Sequence, residues 1–487
     1  MKKQQSPHPQ WATKHRRPGT ELRLINDHYY LYEVKSVYDK EKHRARKITG
    51  KILGKITEEN GFIESEKNKL RLQARAIRIP NNLAVREYGL SQFVLQHTSD
   101  MQVALQQAFP EDWRLILALA YCRLGWQAPL KNIPLLLAKS YLAAAFNLEQ
   151  VHDKLIGASL HRWGQMRQQV VEYMRSWMPD GEYALIDATD IFCKSQNITY
   201  AHKGYNSRMD FHEQISLLYI YSTQRSLPIF YRIISGNVSE ISTMKNTLRE
   251  SGLTKVVLIG DKGFFSKGNI EKLNGQTLKF ILPMKRNNAA IEYDALRDIE
   301  KTANYFKYQG RFIYYHSSQL DNMTSLLFYD GRLKENEKTD YLNRIITHPE
   351  SYSHEVYREK LHTFGTIAMA TNLREENAES IYTTYKSRCT IEQMFDWLKN
   401  TLNADCSYMH SDESLQGWMF INHLTLQMVS MIYNLIRNHK LVHKYSVKDF
   451  ALHLSHIKQM RVDDTWYLEE IISKTQTLLK KLKISIT

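Results

Sequence analysis

The sequence predicts an α/β protein: a mixed sheet flanked by helices, preceded by a small basic β module and a long helical region. Three observations carry this. Between 183 and 284 lie short apolar runs, YALIDATDIF (183–192), EQISLLYIYS (213–222), PIFYRIIS (228–235), KVVLIGD (255–261) and LKFILPM (278–284). From the third run onward they alternate with helical periods at 241–251 and 267–273, the order of three early strands followed by an alternating α/β continuation. Residues 28–64 are Tyr-, Val- and Ile-rich runs broken by DKEKHR and TEENG, which read as β-hairpins. Residues 85–178 carry apolar side chains at spacings of three and four, the period of helices laid on a core.

The chain has 487 residues, enough for two to four domains, since single cores seldom grow beyond about 250–300 residues. Lys and Arg number 66 against 51 Asp and Glu, a net +15, so a polyanion is an expected partner. The charge is uneven: residues 1–80 hold 19 basic and 9 acidic residues, 19 − 9 = +10, which marks a basic N-terminal module. Residues 1–20 read as a solubilising tail. Cys122, Cys193, Cys389 and Cys406 show no CxxC spacing, so they are expected to be reduced thiols rather than zinc ligands or disulfides. No apolar run reaches the length of a membrane span and no signal-peptide core is present. A cytoplasmic protein with no membrane partner is expected.

The expected domains are a basic β-rich module suited to a polyanion (1–80), a helical binding or linking domain (85–178), and an α/β core in two parts (180–284 and 366–440). A β-rich insertion (285–365) separates those parts, and a helical region (441–487) closes the chain. The texture changes at Pro179-Asp180-Gly181, and the insertion is marked by the aromatic runs FKYQGRFIYYHSS and SLLFYDG. Beyond it come a buried strand (364–372), one long helix (377–402) and a very apolar helix (417–439) suited to a core or a subunit interface.

The long helix raises the functional question. Tyr385, Arg388, Glu392 and Lys399 fall within an arc of roughly 60° on an ideal helix. Ile391, Met394, Phe395, Leu398 and Leu402 form the adjoining apolar stripe. Elsewhere Asp187 closes the apolar stretch ALI of ALIDATD and Asp261 ends VVLIGD, at expected strand ends, where α/β sheets build sites; an Asp there also serves as a turn former. Three carboxylates from separate elements match the oxygen ligands Mg²⁺ requires. Two such ions support in-line attack on a phosphodiester.

The spacing Tyr385-x2-Arg388-x3-Glu392-x6-Lys399 resembles, in every member and gap, the Y-R-E-K signature of DDE transposases of the insertion-sequence-four superfamily. DAT (187–189), PIFYRIISGN (228–237), GDKGFFS (260–266) and ATNL (370–373) are similar in order and setting. The resemblance covers residues 180–440. It implies an RNase H-like catalytic domain whose catalytic metal ligands are Asp187, Asp261 and Glu392. It further implies two Mg²⁺ ions, with Mn²⁺ as a substitute, and Tyr385, Arg388 and Lys399 on the DNA. The implied activity is cut-and-paste transposition: a homodimer binds terminal inverted repeats of double-stranded DNA, cleaves the ends and joins the 3′-hydroxyl to target DNA.

Asp190 is a rival first ligand, but strand alternation turns it to the opposite face from Asp187. Asp396 lies about 40° further round the helix from Glu392. SGN (235–237) reads equally as a site floor or a plain turn, and Asp210 as part of a surface hairpin. Some relatives excise through a DNA hairpin with a stacking Trp in the insertion. No Trp stands between Trp177 and Trp397, which leaves Tyr305, Phe306, Tyr308, Phe312, Tyr314 and Tyr315 as stacking or core residues. Two other functions share these motifs: a same-fold nuclease without strand transfer, and a domesticated DNA-binding protein without catalysis. An RNA-binding role lacks an RNP or KH signature.

Overall fold

A computed structural model describes residues 7–39, 43–76, 83–178, 184–205, 211–236, 240–253, 257–260, 262, 265–275, 278–301 and 304–486. The chain divides into two compact units, Met1–Leu83 with Arg461–Thr465, and Ala84–Met460 with Trp466–Thr487.

In the first unit β1 (Thr20–Ile25), β2 (His28–Asp39), β3 (Arg44–Thr57) and β4 (Gly61–Glu64) form an antiparallel sheet in that order. The hairpins expected over 28–64 are therefore present. Asn26 and Asp27 both take positive φ, 47° and 58°, the geometry of a tight two-residue hairpin turn. Ala12, Leu22, Leu31 and Ile56 make a small core, covered by Trp11, Tyr29, Leu53 and Phe62. A Cβ at Gly54 would stand 2.3 Å from the Ile63 carbonyl oxygen, so β4 packs closely only because that position is glycine.

The second unit opens with helices including Gly89–His97, Ser99–Ala108, Trp113–Trp126, Asp153–Gln165 and Arg167–Arg175. Trp113–Trp126 is buried on nearly every side, as expected of a helix apolar all round. These helices share one hydrophobic core with the sheets that follow.

The first of those sheets contains β5 (Ala184–Cys193), β6 (His202–Tyr205), β7 (Phe211–Ser222) and β8 (Leu227–Ser235). β7 runs antiparallel to β5, β6 and β8. The second contains β9 (Val257–Ile259), β10 (Lys279–Pro283), β11 (Tyr305–Tyr308), β12 (Arg311–Leu320), β13 (Met323–Asp330) and β14 (Thr366–Thr371), ordered β9-β10-β14-β13-β12-β11. β9 and β10 are parallel, and β9 lies alongside β5. The short β15 (Cys406–Ser407) pairs parallel with the far end of β5. The architecture is mixed α/β.

Helix Asp412–Asn438 backs this arrangement, with most of its first two-thirds buried. Its polar side chains are tied to neighbours: Gln427 Nε2 donates to the Pro228 carbonyl at 2.9 Å and its Oε1 accepts from Tyr173 at 2.6 Å. Where it crosses helix Asp153–Gln165, glycines face each other's backbones. A Cβ at Gly417 would lie 2.0 Å from the Leu160 oxygen, and one at Gly164 1.7 Å from the Glu413 oxygen.

Five sequence expectations change. Residues 1–20 are not all tail: Gln10–Thr13 is helical and Ala12 is buried in the small core of the first unit. Asp187 does not end its strand; pairing with β7 and β15 carries β5 on to Cys193. The helix expected over 377–402 is three segments: Ala378–Lys386, Arg388–Asp396 and a π turn at Trp397–Thr401. The first break falls where the Ser387 hydroxyl bonds the Thr384 carbonyl at 2.6 Å and Thr390 bonds the Ser387 carbonyl at 2.6 Å, hydroxyls competing with the helical ladder. Within 285–365 the three strands join the large sheet, and helices Gly331–Thr347 and His354–Lys360 lie beside them. Helix Gly331–Thr347 buries no residue, so it shows little apolar period; its start is set by Asp330, whose carboxylate accepts from the Arg332 and Leu333 amides. In 441–487 the helices Val447–Ser455 and Ser473–Leu482 are separated by two short strands, Lys458–Val462 and Thr465–Leu468, none of whose residues is buried.

Candidate active site

Asp187 lies on β5 opposite Tyr219 of β7. Its side chain is 10% exposed. One carboxylate oxygen accepts from the Ala188 amide at 3.0 Å and the other from Arg388 Nη2 at 3.2 Å. Burial pushes its pKa above the ordinary carboxylate value; the Arg388 charge opposes the rise, and Glu392 adds to it.

Arg388 opens its helix, and Glu392 follows one turn later. Arg388 Nη1 stands 3.2 Å from Glu392 Oε1. One guanidinium thus joins a buried carboxylate on a strand to a 56% exposed carboxylate on a helix. The separation of burial follows from position: β5 is interior, whereas Glu392 lies off the Ile391–Met394–Phe395 stripe that packs inward.

The remaining signature residues are placed differently. Tyr385 sits in the preceding helix, half-buried against the main core. Its neighbour Tyr382 is enclosed by Phe306, Tyr308 and Phe328, with ring centroids 5.0–5.4 Å away. Phe306 and Tyr308 therefore support this helix, whereas Tyr305 and Phe312 are exposed. Lys399 lies in the π turn, where its charge acts on Asp190; burial raises the Asp190 pKa, while Lys399 and a Ser216 hydrogen bond hold it down. The face shared by four side chains on an ideal helix is thus divided among three segments, with Arg388 bonded to Asp187 and paired with Glu392. Asp396 accepts from Asn400 at 2.6 Å on the helix surface.

Asp261 lies outside the described residues, as do Asp210 and Asn237. The described strand before Asp261 is β9, which runs beside β5. Among the described residues no group of three His, Cys, Asp or Glu is placed to hold a metal. Asp187 and Glu392 are nevertheless hard oxygen donors of the type a divalent cation requires. The burial that raises the Asp187 pKa is a cost that a nearby cation offsets.

Sequence reasoning missed two buried groups behind this site. Arg123, 3% exposed, donates to the Leu402 carbonyl at the end of the π turn, bonds Asn422 Oδ1 at 3.1 Å and stacks 4.5 Å from the Trp418 ring. A lone cation within LALAYCRLGW was the available signal. His423 is fully buried between Tyr219 and Tyr231, with ring centroids 5.9 and 5.2 Å away. Neither ring nitrogen has a hydrogen-bond partner among the described residues, and burial lowers its pKa to about 3.

One arginine thus gathers a strand carboxylate and a helix carboxylate beside a mixed sheet. Residues 179–428 match the transposase DDE domain family, and the chain belongs to it. Comparison with curated proteins gives no match. Among solved structures, the chain is similar to a piggyBac transposase synaptic complex with hairpin DNA, at 9% identity and a TM-score of 0.36, covering 60% of this chain. The chain spans 55% of that transposase. No helix among the described residues is long and apolar enough to cross a membrane.

Proposed function

We propose that the protein is a cut-and-paste DNA transposase of the insertion-sequence-four type, with an RNase H-like catalytic core. The observation that carries this reading is Arg388 holding Asp187 and Glu392 together within residues that match the transposase DDE domain. The antiparallel β5-β7-β8 unit, with parallel β9 and β10 beside it, supports the core assignment.

In this reading Asp187, Asp261 and Glu392 hold two Mg²⁺ ions, or Mn²⁺ in their place. Bound metal supplies charge stabilisation and an activated oxygen nucleophile for phosphodiester chemistry. Arg388 keeps the two described carboxylates in register and presents positive charge where phosphate oxygens arrive. Tyr385 and Lys399 contact the DNA end. The basic module of residues 1–80 contributes phosphate contacts, with the helices of 85–178 supporting end recognition. Joining two ends calls for a homodimer on DNA, in a cytoplasmic setting.

The test is Mg²⁺-dependent cleavage of a plasmid carrying the inverted repeats that flank the gene, using wild type, Glu392→Gln and Asp261→Asn. Both variants are expected to bind the ends in a mobility-shift assay and to leave them uncut. Appearance of joined products with wild type separates a transposase from a nuclease. If wild type binds and no metal elicits cutting, the catalytic reading is wrong and the protein is a DNA-binding module.

A further inference from the structure

The β2–β3 ribbon extends past the sheet that supports it. β1 pairs with β2 only over His28–Glu33, and β4 pairs with β3 only over Gly54–Thr57. From Lys35↔Ile48 to Asp39↔Arg44 the two strands are paired with each other, with no third strand among the described residues. Five such pairs reach roughly 15 Å. Every described side chain at 35–38 and 43–48 is exposed.

A two-stranded ribbon with no covered face has little to stabilise it alone, yet this one carries large apolar groups in the open: Val37 at 50%, Tyr38 at 60% and Ile48 at 47% exposure. Its register sorts the side chains. Lys35 lies opposite Ile48 and Val37 opposite Arg46, and Arg44 follows on the same side two residues before Arg46, so one face carries three cations and two branched apolar groups. The other face carries Ser36, Tyr38, Ala45 and Lys47, and Lys47 is already drawn to Glu21 at 2.7 Å. Register shifts at Leu31–Val34 set the ribbon off from the base of the sheet, as bulges re-aim a strand.

We propose that this ribbon is a DNA-reading arm that enters the major groove of the duplex with its Lys35–Val37–Arg46–Ile48 face toward the bases. The inference rests on the transposase reading and adds to it the element, the groove and the residues that discriminate sequence. The major groove is about 12 Å wide and admits a two-stranded ribbon, whereas the deep, narrow major groove of A-form RNA does not. Arg46 is the side chain able to bond guanine O6 and N7 together, and Val37 and Ile48 suit thymine methyl groups. Lys35 is placed for a phosphate, a contact that adds affinity without sequence information.

The experiment measures binding of the full chain to a duplex of its own inverted repeat and to a scrambled duplex of equal length and composition. It compares wild type, Arg46→Ala, Val37→Ser with Ile48→Ser, and Lys35→Ala, after matched thermal melts have shown the fold intact. Arg46→Ala is expected to lose roughly tenfold to a hundredfold on the repeat and little on the scrambled duplex. The apolar double variant is expected to relax discrimination at A·T positions. Lys35→Ala should weaken both duplexes alike and reduce the salt dependence by about one phosphate contact. Replacing the contacted guanines by 7-deazaguanine should weaken wild type and leave Arg46→Ala unchanged, an effect that a purely structural role of Arg46 does not produce.

If wild type discriminates and the arm variants do so equally well, the arm is not the reader and the inference fails while the transposase reading stands. If wild type itself does not discriminate, end recognition fails, and the arm assignment with it. Cleavage of a nicked or pre-opened substrate then tests the catalytic reading independently.

Discussion

Arg388 and Asp187 lie 201 residues apart in the chain and meet at 3.2 Å, with Asp187 enclosed on its strand. The same guanidinium reaches Glu392. Removing one partner of a buried pair strands the other's charge and costs about 3 kcal/mol or more. Arg388→Ala is therefore expected to lower stability by about 3 kcal/mol in urea unfolding without added metal.

Asp187→Asn tests the pH dependence of the same contact. Burial raises the Asp187 pKa in the folded state, so its contribution to stability is fully present below its unfolded pKa and is lost as pH rises through the folded value. Asn does not titrate. The variant should therefore gain on wild type as pH climbs through that window, and the difference between the two should stay constant above it, while cleavage is lost. Unfolding curves from pH 4 to pH 8 check the sign; a gap that narrows with rising pH would contradict it.

His423 gives the reverse slope. It is neutral when folded, with a pKa of about 3 set mainly by burial and secondarily by the Arg167 charge. Its contribution is fully present above the unfolded value near 6.5 and is lost as pH falls toward about 3. Wild type should lose up to roughly 1.4 kcal/mol per pH unit over that interval from this group. His423→Phe keeps an aromatic ring between Tyr219 and Tyr231 and should flatten acid unfolding by about that slope.

The crossing at Gly417 is a purely steric prediction. A methyl group there would fall 2.0 Å from the Leu160 oxygen, an approach that only backbone displacement relieves. Gly417→Ala should cost about 3 kcal/mol, whereas Gly157→Ala on the same partner helix, where a Cβ meets nothing within 4 Å, should be neutral or slightly stabilising. Thermal melts of the two variants make the comparison.

Much of this fold was legible because its signals are local. Period-two apolar runs became β5, β7, β8 and β10, and the basic hairpins formed where Asn26–Asp27 permits a tight turn. Helix Gly331–Thr347 was not legible, since it buries nothing and thus shows no dominant apolar face. The Ser387 break was hidden because hydroxyl competition with the helical ladder leaves the apolar stripe intact on both sides.

The sequence by itself determined the spacing of Tyr385, Arg388, Glu392 and Lys399, the placing of Asp187 on an apolar strand and the concentration of charge near the N-terminus, because composition and periodicity are properties of neighbours in the chain. Tertiary structure alone decided that Arg388 turns to Asp187, that Arg123 closes the π turn, and that the β2–β3 ribbon outruns its sheet. Those relationships join residues tens to hundreds of positions apart. They are fixed by which backbones pack together, and no local pattern records that choice.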